Sequence, residues 1–360
     1  MKYYIGYLIF IFIQSICIYS LSCYSKNTKD KLFVFLSCFE LIVFTGLRAD
    51  NVGADTLVYL SAIDTYSFFN INELLTISNI YPYRFEIGYL WITKVCAYLG
   101  MGHTAFLMLI SILIYIPTYR LFYRYSPYPI LSIAIYFGLG LFGYSLGIFR
   151  QYVAISIVLL GINYVLQKRL MKWTVVIVVA MLFHTSVILC YPLYFISRLK
   201  FQRIFFFTII LQPILYFGGR SIIVFLSLLV SKYLIYIGSQ YDELQGSTSM
   251  IIIYNILLFI CYLYNKKRNI VGQSMNFFIN GLCFLCCIQA MAYTFPILGR
   301  AIPYFSIFIT VTIPVIIKDM FPPRQAIVIA AVCSFLFVLL FIYQNIDNTY
   351  ILPFKFFWET

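Results

Sequence analysis

The chain has 360 residues, 63% hydrophobic and 10% charged, with a formal net charge of +13 and a mean hydropathy of +0.93. That composition excludes an ordinary soluble domain and makes the bilayer the solvent. The cations are scattered in small groups between apolar runs, so they point to membrane orientation rather than nucleic-acid binding.

Met1 to Tyr24 carries a lysine followed by a long apolar run with no A-x-A-like cleavage site, and reads as a retained first span rather than a signal peptide. Apolar runs predict spans at about 3–23, 32–47, 103–122, 128–147, 149–167, 173–183, 185–197, 204–219, 249–264, 274–293, 301–317 and 326–343. Solid runs such as 171–183, rather than ten-residue apolar–polar alternation, exclude a transmembrane β-barrel. A helix satisfies its own backbone groups inside hydrocarbon. The expectation is an all-α, polytopic integral membrane protein with about twelve transmembrane segments, forming one helical domain over 1–360. The two runs flanking His184 are short enough to be one helix, two tilted half-helices or a re-entrant hairpin.

Cytoplasmic loops carry excess Lys and Arg. Basic clusters fall at Lys26, Lys29 and Lys31; Arg120 and Arg124; Lys168, Arg169 and Lys172; Arg198, Lys200 and Arg203; Lys266, Lys267 and Arg268; and Lys318 and Arg324. All lie inside if the N-terminus is outside, the His184 segment crosses twice, and residues 86–100 and 221–238 rest on or dip into the outer surface. Asp50, Asp55, Asp64, Glu73, Glu86, Asp242 and Glu243 then face outward, an asymmetry that insertion does not require. Cys283, Cys286 and Cys287 form a CxxCC without a second pair or a nearby histidine, so no metal site is expected, and the cysteines read as core packing.

The densest polar information lies in an outer loop at about 48–86, opening Arg48-Ala-Asp-Asn-Val-Gly53-Ala-Asp55 and closing near Arg84-Phe-Glu86-Ile-Gly88-Tyr89. A loop of that length without structure of its own is usually functional or disordered, and its aromatics argue against disorder. Gly53 permits a tight or left-handed turn, so Arg48 and Asp55 could turn toward one cavity or form a structural ion pair. Arg150 and Gln151 sit at the junction of two apolar runs, on the outer side of this topology, where a lone arginine favours a polar cavity. His184, within Phe183-His-Thr-Ser, occupies an outer turn. Arg300 enters an apolar run beside Gly299, Pro296 and Pro303. Together with Arg84 and Arg220, these arginines make an outer cationic set whose planar forks suit a diphosphate. Walker, GxSxG, HExxH and Rossmann patterns are absent, which removes support for ATP-driven transport and for hydrolase readings.

Arg48-x-x-x-Val-Gly-Ala-Asp55-Thr-x-x-Tyr59, Phe85-Glu86-Ile-Gly88-Tyr89, Phe149-Arg150-Gln151-x-x-Ala154, Phe183-His184-x-Ser186, and Arg300 with Tyr304 follow one another across nearly the whole chain. In that order and at those separations the sequence resembles the EpsG and Wzy-like family of bacterial polysaccharide polymerases. It departs at Thr56, where the family commonly has an aromatic. The resemblance implies polymerisation of undecaprenyl-diphosphate-linked repeat units, for O-antigen or exopolysaccharide, at the periplasmic face of the bacterial cytoplasmic (inner) membrane. A chain-length regulator is a possible partner besides the lipid-linked glycan and membrane lipid, with no nucleic acid and no cofactor or metal. The reaction needs a proton acceptor for the attacking hydroxyl and cations for the leaving diphosphate. Asp55 is the first candidate base, with Glu86 and His184 as alternatives. Arg48, Arg150 and Arg300 are candidates for the diphosphate, with Gln151, Tyr59 and Tyr304 as further substrate contacts. A lipid-linked glycan ligase or other glycosyltransferase is the nearest alternative. A flippase or transporter would want internal symmetry and more intramembrane polar residues than Glu40, and a membrane acyltransferase a more polar histidine.

Overall fold

The computed structural model describes residues 1–67, 73, 85–229, 246–268 and 271–359. In chain order the helices are α1 (Lys2–Ser20), α2 (Lys26–Gly46), α3 (Thr56–Ser67), α4 (Ile87–Tyr98), α5 (His103–Tyr125), α6 (Pro129–Gly138), α7 (Leu141–Gly147), α8 (Phe149–Leu166) and α9 (Leu170–Met181). They continue as α10 (Leu193–Ile196), α11 (Phe201–Leu229), α12 (Thr248–Lys267), α13 (Gln273–Thr294), α14 (Pro303–Ser306), α15 (Ile309–Met320) and α16 (Pro323–Asn345). Short 3-10 helices cover Thr185–Cys190, Pro296–Ala301 and Phe357–Glu359. Among the described residues the β-structure is a single bridge, Arg48 to Phe356.

The boundaries follow local chemistry. Ser25 caps α2 by accepting from the Thr28 N–H at 3.3 Å, and Ser247 caps α12 through the Met250 N–H at 3.3 Å. Proline opens α6 and α16, where a missing N–H costs nothing. Gly140, at φ +72°, breaks the run between α6 and α7, which meet at 64°.

Among the described residues, seven helices are long and apolar enough to cross a bilayer, or nine if each of two bent pairs counts as one span. The expected count of about twelve is therefore not reached, for two physical reasons. Helix α2 spans 21 residues but carries Lys26, Lys29, Asp30, Lys31 and Glu40. The runs around His184 form the 12-residue α9 and a short apolar stretch, Thr185–Ile196, and 12 helical residues reach only about 18 Å against a hydrocarbon core of about 30 Å. The expected break after 219 is also absent: α11 runs on to Leu229, and residues 230–245 of the proposed interfacial segment lie outside the described residues.

The chain divides into two compact units: Met1–Asn163, Met171–Ile188 and Ile317–Thr360 in one, Tyr164–Leu170 and Leu189–Ile316 in the other. In the first, α1 packs on α2, α2 on α5, and α6 on both α5 and α16. Gly138 makes the α6–α16 approach possible, because a Cβ there would stand 2.6 Å from the Phe337 carbonyl oxygen. The intramembrane acid Glu40 is answered from α1, where the Gln14 amide donates to it.

The C-terminal tail is bound back onto this unit. Phe354 stacks on Phe44 at 4.6 Å, and the Tyr4 hydroxyl donates to Ile351 O at 3.0 Å. Ala49 N donates to Lys355 O at 2.9 Å, Phe357 N to Leu47 O at 3.0 Å and Gly53 N to Tyr350 O at 2.8 Å. These bonds give the backbone of 47–53 partners that it would otherwise lack.

In the second unit α13 is the central helix, flanked by α11 and α12 and touched by α10 and the 296–306 segment. Its Cys283 and Cys286 are buried, free thiols. Gln212 and Asn255 exchange amide hydrogen bonds of 3.0 and 2.8 Å between α11 and α12, satisfying both side chains inside an apolar pair.

Candidate functional site

The site is assembled from three segments far apart in sequence. The first is Phe85-Glu86-Ile-Gly88, which leads into α4 with Glu86 as its N-cap residue. Gly88 decides where that segment sits. Its N–H donates to Leu182 O at 2.7 Å, and a Cβ at this position would stand 2.7 Å from the same oxygen. Only a residue without a side chain lets the 85–88 backbone lie so close to the end of α9. That closeness brings Glu86 beside His184, which follows α9 and donates its backbone N–H to Ala180 O at 3.1 Å.

Arg150 comes from the first turn of α8, where a cation opposes the helix dipole and needs a compensating charge. The compensation is Glu86. Arg150 Nη1 donates to Glu86 Oε2, with side-chain exposures of 17% and 10%. The other oxygen of Glu86 accepts from the Thr185 N–H at 3.3 Å and lies 3.4 Å from His184 Nδ1, long for a hydrogen bond. The Arg150 guanidinium also lies 4.7 Å from the Phe85 ring centroid and 5.6 Å from that of Tyr59. Tyr59 is held in turn by Phe149 at 4.9 Å and Tyr89 at 5.4 Å, with the Tyr89 hydroxyl donating to Tyr59 O at 3.2 Å. A desolvated aromatic wall strengthens its attraction for a cation.

The electrostatics of Glu86 are a contest. Burial works to raise its pKa, but the His184 imidazole facing it and the charge of Arg150 outweigh it and hold the carboxyl down to about 2. Glu86 is thus an ionised acceptor throughout the physiological range. Arg150 Nε is buried with no hydrogen-bond partner among the described residues, which leaves this guanidinium with donor capacity that Glu86 does not use.

Arg48 is in a different situation. It is 2% exposed and donates to three backbone carbonyls: Thr45 O, Val52 O at 3.2 Å and Leu146 O at 3.1 Å. Its guanidinium also lies 5.2 Å from the Phe149 ring centroid. Burial pulls its pKa down to about 10. Among the described residues no ion pair joins it to Asp55. Gly53, at φ +112°, has no room for a Cβ, which would stand 2.3 Å from Leu146 O, and Gly147 lies against Ala54 in the same way. Thr56, the departure from the family pattern, donates to Val52 O at 2.9 Å and lies 3.1 Å from Leu146 O. Arg48, Gly53, Thr56 and Gly147 therefore lock the start of the outer loop onto the end of α7.

Asp55 is half-buried just before α3, one turn from Tyr59, whose N–H donates to the Asp55 carbonyl at 3.1 Å. Gln151, next to Arg150 on α8, is fully buried. Arg300 and Tyr304 belong to the second unit, Arg300 exposed on the 3-10 helix Pro296–Ala301 and Tyr304 buried in α14. Arg84 lies outside the described residues.

Sequence reasoning overlooked His103. Its Nδ1 is 2.6 Å from Asp50 Oδ2 and its Nε2 3.1 Å from Asp64 Oδ1, so one imidazole ties the start of α5 to the outer loop and to α3. The available signal was that the chain has only two histidines, with this one opening an apolar run near outward-facing acids.

The fold and this cluster define a class: an all-helical, polytopic membrane protein whose first unit encloses a carboxylate–guanidinium–imidazole group beside an aromatic wall. A family model described as the EpsG family matches residues 31–356, nearly the whole chain, and the protein belongs to that family. Neither the curated proteins nor the solved structures contain a significant match to it.

Proposed function

We propose that this protein polymerises lipid-diphosphate-linked oligosaccharide repeat units at the extracytoplasmic face of the membrane, by transfer of a glycan from its lipid diphosphate to a hydroxyl of another lipid-linked repeat. The observation that carries the reading is the convergence of Glu86, Arg150 and His184, three residues of the ordered family pattern, on one partly buried spot.

In this reaction a bond forms between the acceptor oxygen and the anomeric carbon, the bond from that carbon to the diphosphate breaks, and the hydroxyl proton must be taken up. Glu86 is unsuited to take it, because a carboxylate held near pKa 2 is a poor base at neutral pH. Its role is to hold its neighbours. It anchors Arg150 and faces Nδ1 of His184, which turns the opposite Nε2 edge of the imidazole toward the acceptor hydroxyl as base. Arg150 supports the departing diphosphate with the donors left over from Glu86. Asp55, at the mouth of the same loop, is the alternative base. The undecaprenyl lipid and the O-antigen or exopolysaccharide product come from the family resemblance, as does the chain-length regulator.

The test is a deletion strain complemented with His184→Ala, Asp55→Ala or Glu86→Gln, with surface glycan resolved on gels. Single-repeat products from His184→Ala with long chains from Asp55→Ala support the assignment. Normal ladders from both His184→Ala and Glu86→Gln at native protein level would remove it.

A further inference from the structure

The second unit carries a feature that the proposed reaction does not use. Tyr216 of α11 and Tyr293 of α13 stack with centroids 4.6 Å apart and planes 21° from parallel. Both are partly exposed, and Arg220 stands exposed one helical turn beyond Tyr216.

The backbone around this pair is built to hold it. Gly219 lies against α13, where a Cβ would stand 2.8 Å from Thr294 Oγ1 and 3.3 Å from Met291 Cα. Gly246 lies against the other side, where a Cβ would stand 2.4 Å from Ala292 O and 2.6 Å from Tyr293 Cα, and its N–H donates to Tyr293 O at 3.0 Å. Two glycines thus let α11 and the segment before α12 close on the last turn of α13.

The position along the helices matters as much. Arg198, Lys200 and Arg203 cluster at the start of α11, and Lys266 and Lys267 end α12. By the positive-inside rule those ends are cytoplasmic. Tyr216 is 15 residues past Phe201 and Tyr293 is 20 past Gln273, about 22 and 30 Å along their helices. Tyr293 lies in the last turn of α13, while α11 continues beyond Tyr216 to Leu229. The pair therefore lies in the extracytoplasmic half of its unit, toward the side where the glycan of the proposed reaction must be.

A paired aromatic face edged by phenol hydroxyls suits one class of ligand. The C–H face of a pyranose packs against the electron-rich π surface, while its ring hydroxyls meet the polar rim. We infer that Tyr216 and Tyr293 form a sugar-binding platform that holds one pyranose ring of the glycan chain. The inference rests on the polymerase reading for the identity of the glycan.

The probe is the lipid-free oligosaccharide repeat released from the host's own surface polymer, added to the full chain in nanodiscs and followed by saturation-transfer NMR. The wild-type protein is expected to transfer saturation to the C–H protons of one sugar face. Tyr293→Leu and Tyr216→Leu should each weaken binding about tenfold, and Tyr293→Phe, which keeps the ring, should retain most of it. Arg150→Ala should bind this probe normally, because the probe has no diphosphate. Unchanged affinity in both leucine variants, with native helicity and monodispersity, overturns the platform, as does a wild-type protein that does not bind the repeat at all. If the tyrosine variants lose binding while Arg150→Ala and Glu86→Gln still make full-length polymer, the platform stands and the proposed reaction site falls.

Discussion

Arg48 and Arg150 are both buried in the first unit, and each packs against the ring of an aromatic, yet their surroundings assign them opposite work. Arg48 spends donors on three carbonyls and forms no ion pair among the described residues, so it closes backbone bonds that would otherwise be orphaned. Arg150 pairs with a carboxylate that also faces an imidazole, keeps an Nε without a hydrogen-bond partner among the described residues and retains some exposure. A charge whose three nitrogens all bond backbone carbonyls is held in place during a reaction, whereas one with a spare donor beside an ionised acceptor can change partners. The family pattern names both residues, and only their surroundings separate the one that builds the loop from the one placed to act.

The sharpest way to break the comparison is to remove each side chain in turn and score polymer per folded molecule. Arg150→Ala should lower the polymerisation rate about 100-fold or more while the protein still inserts. Arg48→Ala should do the reverse. Three carbonyls lose their donor at roughly 1–3 kcal/mol each when buried, so the yield of folded protein should collapse in thermal unfolding assays, while the surviving molecules keep near-native turnover.

Gly88→Ala tests whether the position of Glu86 is as critical as its charge. The added Cβ would stand 2.7 Å from Leu182 O, so Glu86 must retreat from His184, and turnover should fall about tenfold or more. Gly102→Ala is the control, because a Cβ there meets nothing within 4 Å. Because Gly102 is the N-cap residue of α5 and Ala caps more poorly than Gly, the change should cost about 1 kcal/mol of stability and leave turnover unchanged.

The pH dependence of stability sharpens the same contrast. Glu86 has its pKa lowered in the folded protein to about 2 from the ordinary 4.5, so its contribution is fully present above the ordinary value and is lost as pH falls toward 2. The difference in unfolding free energy between wild type and Glu86→Gln should shrink as pH falls below about 4.5. A difference that stayed constant from about pH 5 down to about 3 would mean that the carboxyl is not held in this way.

Much of the helical framework was legible in apolar runs alone. The expected spans at 103–122, 249–264 and 274–293 fall within α5, α12 and α13, because a bilayer-spanning helix announces itself locally. The count of about twelve is not confirmed where the local signal is mixed: α2 is charged at its start, and the run through His184 is divided into shorter pieces. Gly53 was legible too, since a left-handed turn selects glycine. Long-range pairing could not be read in this way. Arg150 lies 64 residues from Glu86, and nothing local says that Gly88 is glycine because Leu182 O lies against it. The same holds for the filled fork of Arg48, for His103 between Asp50 and Asp64, and for the tail that returns to residues 47–53. Each depends on a partner that only folding brings near.

The most direct test is the polymerisation rate of purified Arg150→Lys in proteoliposomes supplied with lipid-linked repeat units, normalised to folded protein. A lysine keeps the charge and can still pair with Glu86, but it lacks the planar set of donors. A rate reduced about 100-fold with an unchanged melting temperature is the predicted result. Wild-type turnover by the lysine variant would contradict a guanidinium that grips the leaving diphosphate.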